Sequence, residues 1–116
     1  MTSTEQGSYL TIQDLESLRA ALIRVRAENV ADLDAARSTI GTLVADGSAG
    51  DPSLREDVAN AEYMTQDAAS IIAMVDAALQ RIIDGTYGIC TQCHQGVPLA
   101  RLQLRPYGPK CVTCSN

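Results

Sequence analysis

The feature that most constrains this 116-residue chain is its cysteine spacing: Cys90-x₂-Cys93-x₁₇-Cys111-x₂-Cys114, with no other cysteine present. A Cys-x-x-Cys pair can wrap a tight knuckle that turns both sulfurs to one point, and two knuckles complete a tetrahedral S₄ shell. The pattern predicts one structural Zn²⁺ held by Cys90, Cys93, Cys111 and Cys114. Iron–sulfur ligation is the main rival, and the wide separation of the two pairs favours zinc. A redox dithiol would need a βαβ context, which surrounds neither pair. His94, the only histidine, follows the second cysteine. With four thiolates filling the shell it reads as an exposed neighbour of the site, and Gly88 and Gly96 read as sources of backbone freedom in the knuckles.

A metal is also what the composition calls for. With no Phe, no Trp and four Tyr, any core must be built from Ala, Leu, Ile, Val and Met. Such a core is thin, and small units of this kind usually rely on a metal, a partner or long helix pairing. Residues 1–8 are small and polar and are expected to be disordered.

From about Tyr9 to Ala45 there is no Pro and one Gly, Gly41. Apolar residues return at Leu15, Leu18, Leu22, Val25, Val30, Leu33, Ala36, Ile40 and Leu43, a rhythm near 3.6 without a fixed heptad. Asp46 to Ser53 is dense in turn formers, with glycines to end one helix and Asp51-Pro52 to begin another. A second helix is expected from about Pro52 to Asp84, stopped by Gly85. Its pattern is closer to a heptad: Leu54, Ala61, Ala68, Val75 and Ile82 take one position, and Val58, Thr65, Ile72 and Leu79 the other. Ile71, Met74 and Ile83 widen this stripe towards its C-terminal end. Two helices of similar length joined by a short turn must pair antiparallel. No further helical segment is available for a three-helix bundle. The expected fold is therefore all-α, with an antiparallel coiled-coil hairpin over 9–84, its tip at about 46–53, and a four-Cys zinc module over 85–116.

The net charge of −5 is unevenly placed. Residues 1–84 hold all fourteen acidic residues and six Arg, a balance of −8, while 85–116 hold Arg101, Arg105 and Lys110. Neither segment has the clustered Lys and Arg that drive duplex binding. Fingers of the GATA type share the cysteine spacing but track phosphates with a basic segment after the fourth Cys, where this sequence has Ser115 and Asn116. There is no nucleophile–base pair and no phosphate-cradling Gly loop, so no catalysis is expected. No membrane span or export signal is visible, and a cytoplasmic protein is expected.

A hairpin followed by Tyr87-Gly88-Ile89-Cys90, then Pro98…Arg101-Leu102…Arg105-Pro106 and a closing Cys pair, resembles the DksA/TraR family of bacterial transcription regulators. The resemblance runs from the first helix to Cys114. It implies a non-enzymatic protein that binds RNA polymerase through the secondary channel, in place of promoter DNA, and acts in the stringent response with the hairpin tip near the catalytic centre. The family's tip motif, Asp-Pro-x-Asp-Arg-Ala, is matched here by Asp51-Pro52-Ser53-Leu54-Arg55-Glu56. Asp51, Pro52 and Arg55 fit, whereas Leu54 and Glu56 depart. Asp51, Arg55, Glu56 and Asp57 are the tip candidates for polymerase contact, and Asp51, Glu56 and Asp57 equally suit helix capping. Arg101 and Arg105 are candidate nucleotide or protein contacts. Of three basic positions implied for guanosine tetraphosphate, only Arg105 is basic, with Met74 and Ser115 at the others, so joint nucleotide binding is not expected. A zinc-stapled coiled-coil adaptor for a different protein partner is the alternative.

Overall fold

In the computed structural model, residues 10–47, 50–108, 110 and 114 are described. Helix α1 spans Ile12–Ala45; a 3₁₀ turn, Pro52–Leu54, leads into α2, Arg55–Asp84; and a short α3 covers Leu99–Leu104. There is no strand longer than an isolated bridge among these residues. The 1–8 segment and Tyr9, expected at the start of the first helix, lie outside the described residues. Helix α1 begins where Thr11 and Asp14 cap each other. The Asp14 N–H donates to Thr11 Oγ1 at 2.9 Å and the Thr11 N–H to Asp14 Oδ2 at 3.0 Å, satisfying donors that a helix start leaves without partners.

The chain folds as two compact units, Arg26–Ile72 and Met1–Val25 with Ala73–Asn116. The first contains the interhelical turn. Its helix ends follow local chemistry: Gly47 takes φ +80°, which suits a glycine closing α1, and the Asp51 carboxylate accepts from the Ser53 N–H at 2.9 Å to open the next turn. Among its described residues the buried ones are small, namely Ala36, Ala61 and Ala68. Half-buried Leu33, Ile40, Leu43, Leu54, Val58 and Ile72 flank them. On one side the two helices leave a groove lined by Ala36, Thr39 and Leu43 from α1 and Asp57, Ala61 and Met64 from α2.

The second unit holds the larger core: Leu10, Leu18, Leu22, Val75, Ala78, Tyr87, Cys90, Val97 and Leu102. Leu22 and Val75 are fully excluded from water, each worth about 1.5–3 kcal/mol of transfer free energy.

Every heptad position named on α2 is buried or half-buried, from Leu54 to Ile82. On α1 the inward face includes one residue that the apolar rhythm passed over, Asn29, half-buried beside half-buried Val30. With Asn29 included, the inward positions step by four twice in succession, from Val25 to Asn29 to Leu33. That double step is a stutter, and it accounts for the absence of a fixed heptad in this helix. Of the three residues expected to widen the α2 stripe, Ile71 and Met74 are half-buried, and Ile83 is the one that departs. It is 75% exposed, while Ala78 is fully buried, so the inward face follows Val75, Ala78 and Ile82 and turns away from Ile83. The short α3 is the other addition, six residues that apolar periodicity was too brief to reveal.

Candidate metal centre

Helix α2 ends in a Schellman motif. Gly85 adopts φ +81°, its N–H donates to the Ile82 carbonyl, and the Thr86 N–H reaches back to the Arg81 carbonyl at 2.9 Å. The reversal delivers Tyr87 into the core at 3% exposure. Gly88, at φ +87°, then turns the chain into a minimal ribbon. Ile89 and Gly96 form an antiparallel bridge; the Cys90 N–H donates to the Gln95 carbonyl at 2.8 Å, and the Val97 N–H to the Gly88 carbonyl at 2.7 Å. Of the two glycines expected to give the knuckle freedom, Gly88 takes a positive φ and Gly96 serves in the bridge.

The ribbon closes over the first Cys-x-x-Cys. The Cys93 N–H donates to Cys90 Sγ at 3.5 Å, and the His94 N–H to the Cys90 carbonyl at 2.9 Å. His94 itself sits at φ +63°. A left-handed residue is needed to leave the knuckle, and His is among the side chains that tolerate that region. Histidine therefore has a backbone role here that its position next to a ligand did not reveal.

The Sγ atoms of Cys90, Cys93 and Cys114 all lie within 4.8 Å of one another. In a tetrahedral ZnS₄ unit with Zn–S of about 2.3 Å, the sulfurs stand about 3.8 Å apart, so these three residues fit such an ion. Cys111, the fourth expected ligand, lies outside the described residues. Cys90 is fully buried, Cys93 exposed and Cys114 half-buried, a gradient that puts one wall of the cluster against the core. The Cys93 N–H on Cys90 Sγ is the kind of outer interaction that favours a thiolate over a thiol.

Tyr87 ties the knuckle to the segment after α3. Its hydroxyl donates to the Pro106 carbonyl at 2.8 Å, and both residues are buried. Leu102, at 2% exposure, anchors α3 from the other side of that segment. Of the two basic candidates, Arg101 is half-buried and Arg105 is exposed, with its guanidinium 5.3 Å from the Tyr107 ring centroid. Arg81, not singled out by the sequence, is half-buried on α2, and burial pulls its pKa down. A buried Tyr next to a predicted helix stop was a readable signal for the first of these ties, because a buried hydroxyl must find an acceptor.

The tip candidates stand in the other unit. Asp51, Arg55, Glu56 and Asp57 are all exposed. Asp51 accepts from both the Ser53 N–H and the Ser53 hydroxyl, each at 2.9 Å, and these bonds hold its carboxyl below the usual range. Glu56 and Asp57 occupy the first turn of α2. Capping thus accounts for Asp51 and favourable dipole placement for the two acids.

Residues 85–116 match the family model of the prokaryotic dksA/traR C4-type zinc finger. The chain carries a DksA/TraR-type zinc finger. A finger of this C4 type takes one structural Zn²⁺, in agreement with the thiolate cluster. The chain is 41% identical over 46 residues to the RNA polymerase-binding transcription factor DksA of Caulobacter vibrioides, covering 39% of this chain and 32% of that protein. It is 34% identical over 63 residues to an uncharacterized protein of Aquifex aeolicus, covering 54% of this chain and 39% of that one. The matched region thus spans only a third to two-fifths of these curated relatives. The fold of transcription factor DksA2 from Pseudomonas aeruginosa superposes with a TM-score of 0.78 at 24% identity, over 93% of this chain and 84% of that one. The DksA-like fold therefore extends well beyond the finger to the helical hairpin.

Proposed function

We propose that this protein is a non-enzymatic transcription regulator that binds RNA polymerase directly, with Cys90, Cys93, Cys111 and Cys114 holding one structural Zn²⁺. The observation that carries the reading is the joint occurrence of a DksA/TraR finger and a DksA-like fold over 93% of the chain. Electrostatics support a protein partner over duplex DNA. The Arg26–Ile72 unit carries nine carboxylates against three arginines, a net −6, which would repel a phosphate backbone. No helix among the described residues is long and apolar enough to cross a membrane, and the site of action proposed is the cytoplasm.

In this reading the hairpin enters the polymerase secondary channel and presents Asp51, Arg55, Glu56 and Asp57 near the active site. The capped start of α2 would hold those four side chains on an ordered turn. Arg101 and Arg105 are the candidate contacts of the finger with polymerase. Arg105 alone does not make a guanosine tetraphosphate site, and the regulator is expected to act without that nucleotide even if it belongs to the stringent response. Zinc supplies folding free energy and no chemistry at the metal, since four thiolates leave no open coordination position.

The double variant Asp51→Asn, Arg55→Ala in a reconstituted bacterial transcription assay tests the placement of the tip. It should keep the wild-type circular dichroism spectrum and lose the transcriptional effect. An undiminished effect would move the active surface away from the turn.

A further inference from the structure

Arg81 is the basic residue in the last turn of α2, and it is half-buried. It lines a cavity with Thr86, Ile89, Cys90, Thr91 and His94, so the helix end and the first Cys-x-x-Cys share one space within the finger-bearing unit. The helix stop builds this arrangement. The Arg81 carbonyl accepts from both the Thr86 N–H at 2.9 Å and the Tyr87 N–H at 3.1 Å, and the chain so held runs on through Gly88 into the fully buried Cys90.

Residues 85–116 contain no Asp or Glu, so the negative charge of the finger is that of its thiolates. Four thiolates around one divalent ion carry a net −2. Withdrawing such a charge from water is unfavourable unless cations or N–H donors stand near it. Cys90 is the most withdrawn of the three described ligands, at 0% exposure, and the Cys93 N–H reaches its Sγ at a long 3.5 Å. Among the described residues no carboxylate lines the cavity. Asp84, one turn past Arg81 on the helix, accepts from Gln80 Nε2 at 3.1 Å. Burial pulls the Arg81 pKa down and the Tyr87 phenol acts in the opposite direction. The Tyr87 hydroxyl donates to the Pro106 carbonyl and is therefore the neutral phenol, which leaves the cluster as the full negative charge that shares the cavity with Arg81.

We propose that Arg81 is the outer counter-charge of the zinc–thiolate cluster, a positioning residue through which the end of α2 sets how tightly the finger holds its metal. The inference rests on the four-cysteine zinc site and not on polymerase binding. A cation in a last helical turn also favours the macrodipole, and an Arg stem covers apolar surface. Neither of those roles makes metal affinity depend on the charge at this position.

The test is zinc affinity of the full chain, read by competition with a chromophoric chelator. Arg81→Met keeps an apolar stem and removes the charge, Arg81→Lys keeps the charge, and Arg24→Met removes the same charge from an exposed site on α1. Arg81→Met should bind zinc about 10–100-fold more weakly, the range for outer partners of metal ligands, with Arg81→Lys and Arg24→Met close to the wild type. In the Co²⁺-loaded protein the thiolate-to-metal charge-transfer band should move to lower energy in Arg81→Met alone, because the sulfurs lose a neighbouring cation. If Arg81→Met does not fold with zinc, Arg81→Gln takes its place, with the same direction of loss. Wild-type affinity and an unmoved band in the uncharged variant would overturn the proposal. An equal loss in Arg81→Lys would also overturn it, assigning Arg81 to the packing of the helix end. A wild type that takes up no zinc would overturn the metal site itself, whereas a zinc-loaded wild type indifferent to Arg81 would overturn the counter-charge alone.

Discussion

The Tyr87 hydroxyl donates to the Pro106 carbonyl at 2.8 Å across nineteen residues, joining the chain that leaves α2 to the chain that leaves α3. Both groups are buried, so the bond closes the finger from inside. Removing one partner leaves the other unsatisfied away from water, which costs more than the bond itself contributes.

Tyr87→Phe should therefore destabilise the zinc-loaded protein by about 1–3 kcal/mol. Urea denaturation should show a lower midpoint with an unchanged slope, and zinc content should stay at one per chain. A variant with the wild-type midpoint would mean that water replaces the bond.

How much of this was legible in the sequence differs by element. The α2 seam could be read residue by residue, because Leu54 through Ile82 repeat strictly and burial follows the repeat. The end of α2 was equally plain from Gly85, and the cysteine spacing pointed to three residues that the structure brings together, Cys90, Cys93 and Cys114. Asn29 was missed because a polar residue on an inward face carries no apolar signal, and the stutter it marks looks like a lapse of pattern. The left-handed His94 was missed because only glycine announces that conformation in a sequence. The half-burial of Arg81 depends on the chain beyond Gly85 folding back on the helix end, which spacing along the chain does not encode.

Zinc should be a condition of the finger's structure. Cys90→Ser, or excess chelator on the wild type, should abolish metal binding and collapse the amide dispersion of Thr86 to Gly108 in an NMR spectrum. Structural zinc contributes on the order of 10 kcal/mol to modules of this kind, more than the small core here can replace. Dispersion that survives metal removal would show that Leu102, Val97 and Tyr87 suffice.

Two glycines in or at the end of helices should respond oppositely to alanine. Around Gly41, inside α1, a Cβ would meet nothing within 4 Å, so Gly41→Ala should stabilise the fold by about 0.5–1 kcal/mol. Gly85, at φ +81°, also has open space, but alanine there pays about 1–2 kcal/mol for the left-handed backbone. Thermal melts of the two single variants should move in opposite directions.

Asp51 gives a pH signature. Hydrogen bonds from the Ser53 backbone and hydroxyl lower its pKa from 3.8. A depressed folded-state value means that the cap is fully present above the unfolded pKa and is lost as pH falls through the folded one. An NMR titration should show the Asp51 carboxyl protonating below the ordinary Asp range, with the Ser53 amide shift following it. Asp51→Asn should remove that acid-range inflection. A Ser53 amide that titrates at the ordinary Asp value would contradict the cap.

The central claim is that the hairpin and finger together form an RNA polymerase ligand. The measurement that tests it most directly is a pull-down of the zinc-loaded protein with purified bacterial RNA polymerase core, with and without a known secondary-channel factor as competitor. The account predicts retention that the competitor displaces. No retention at concentrations around the micromolar level typical of specific but transient complexes would contradict it, and retention indifferent to the competitor would contradict the channel.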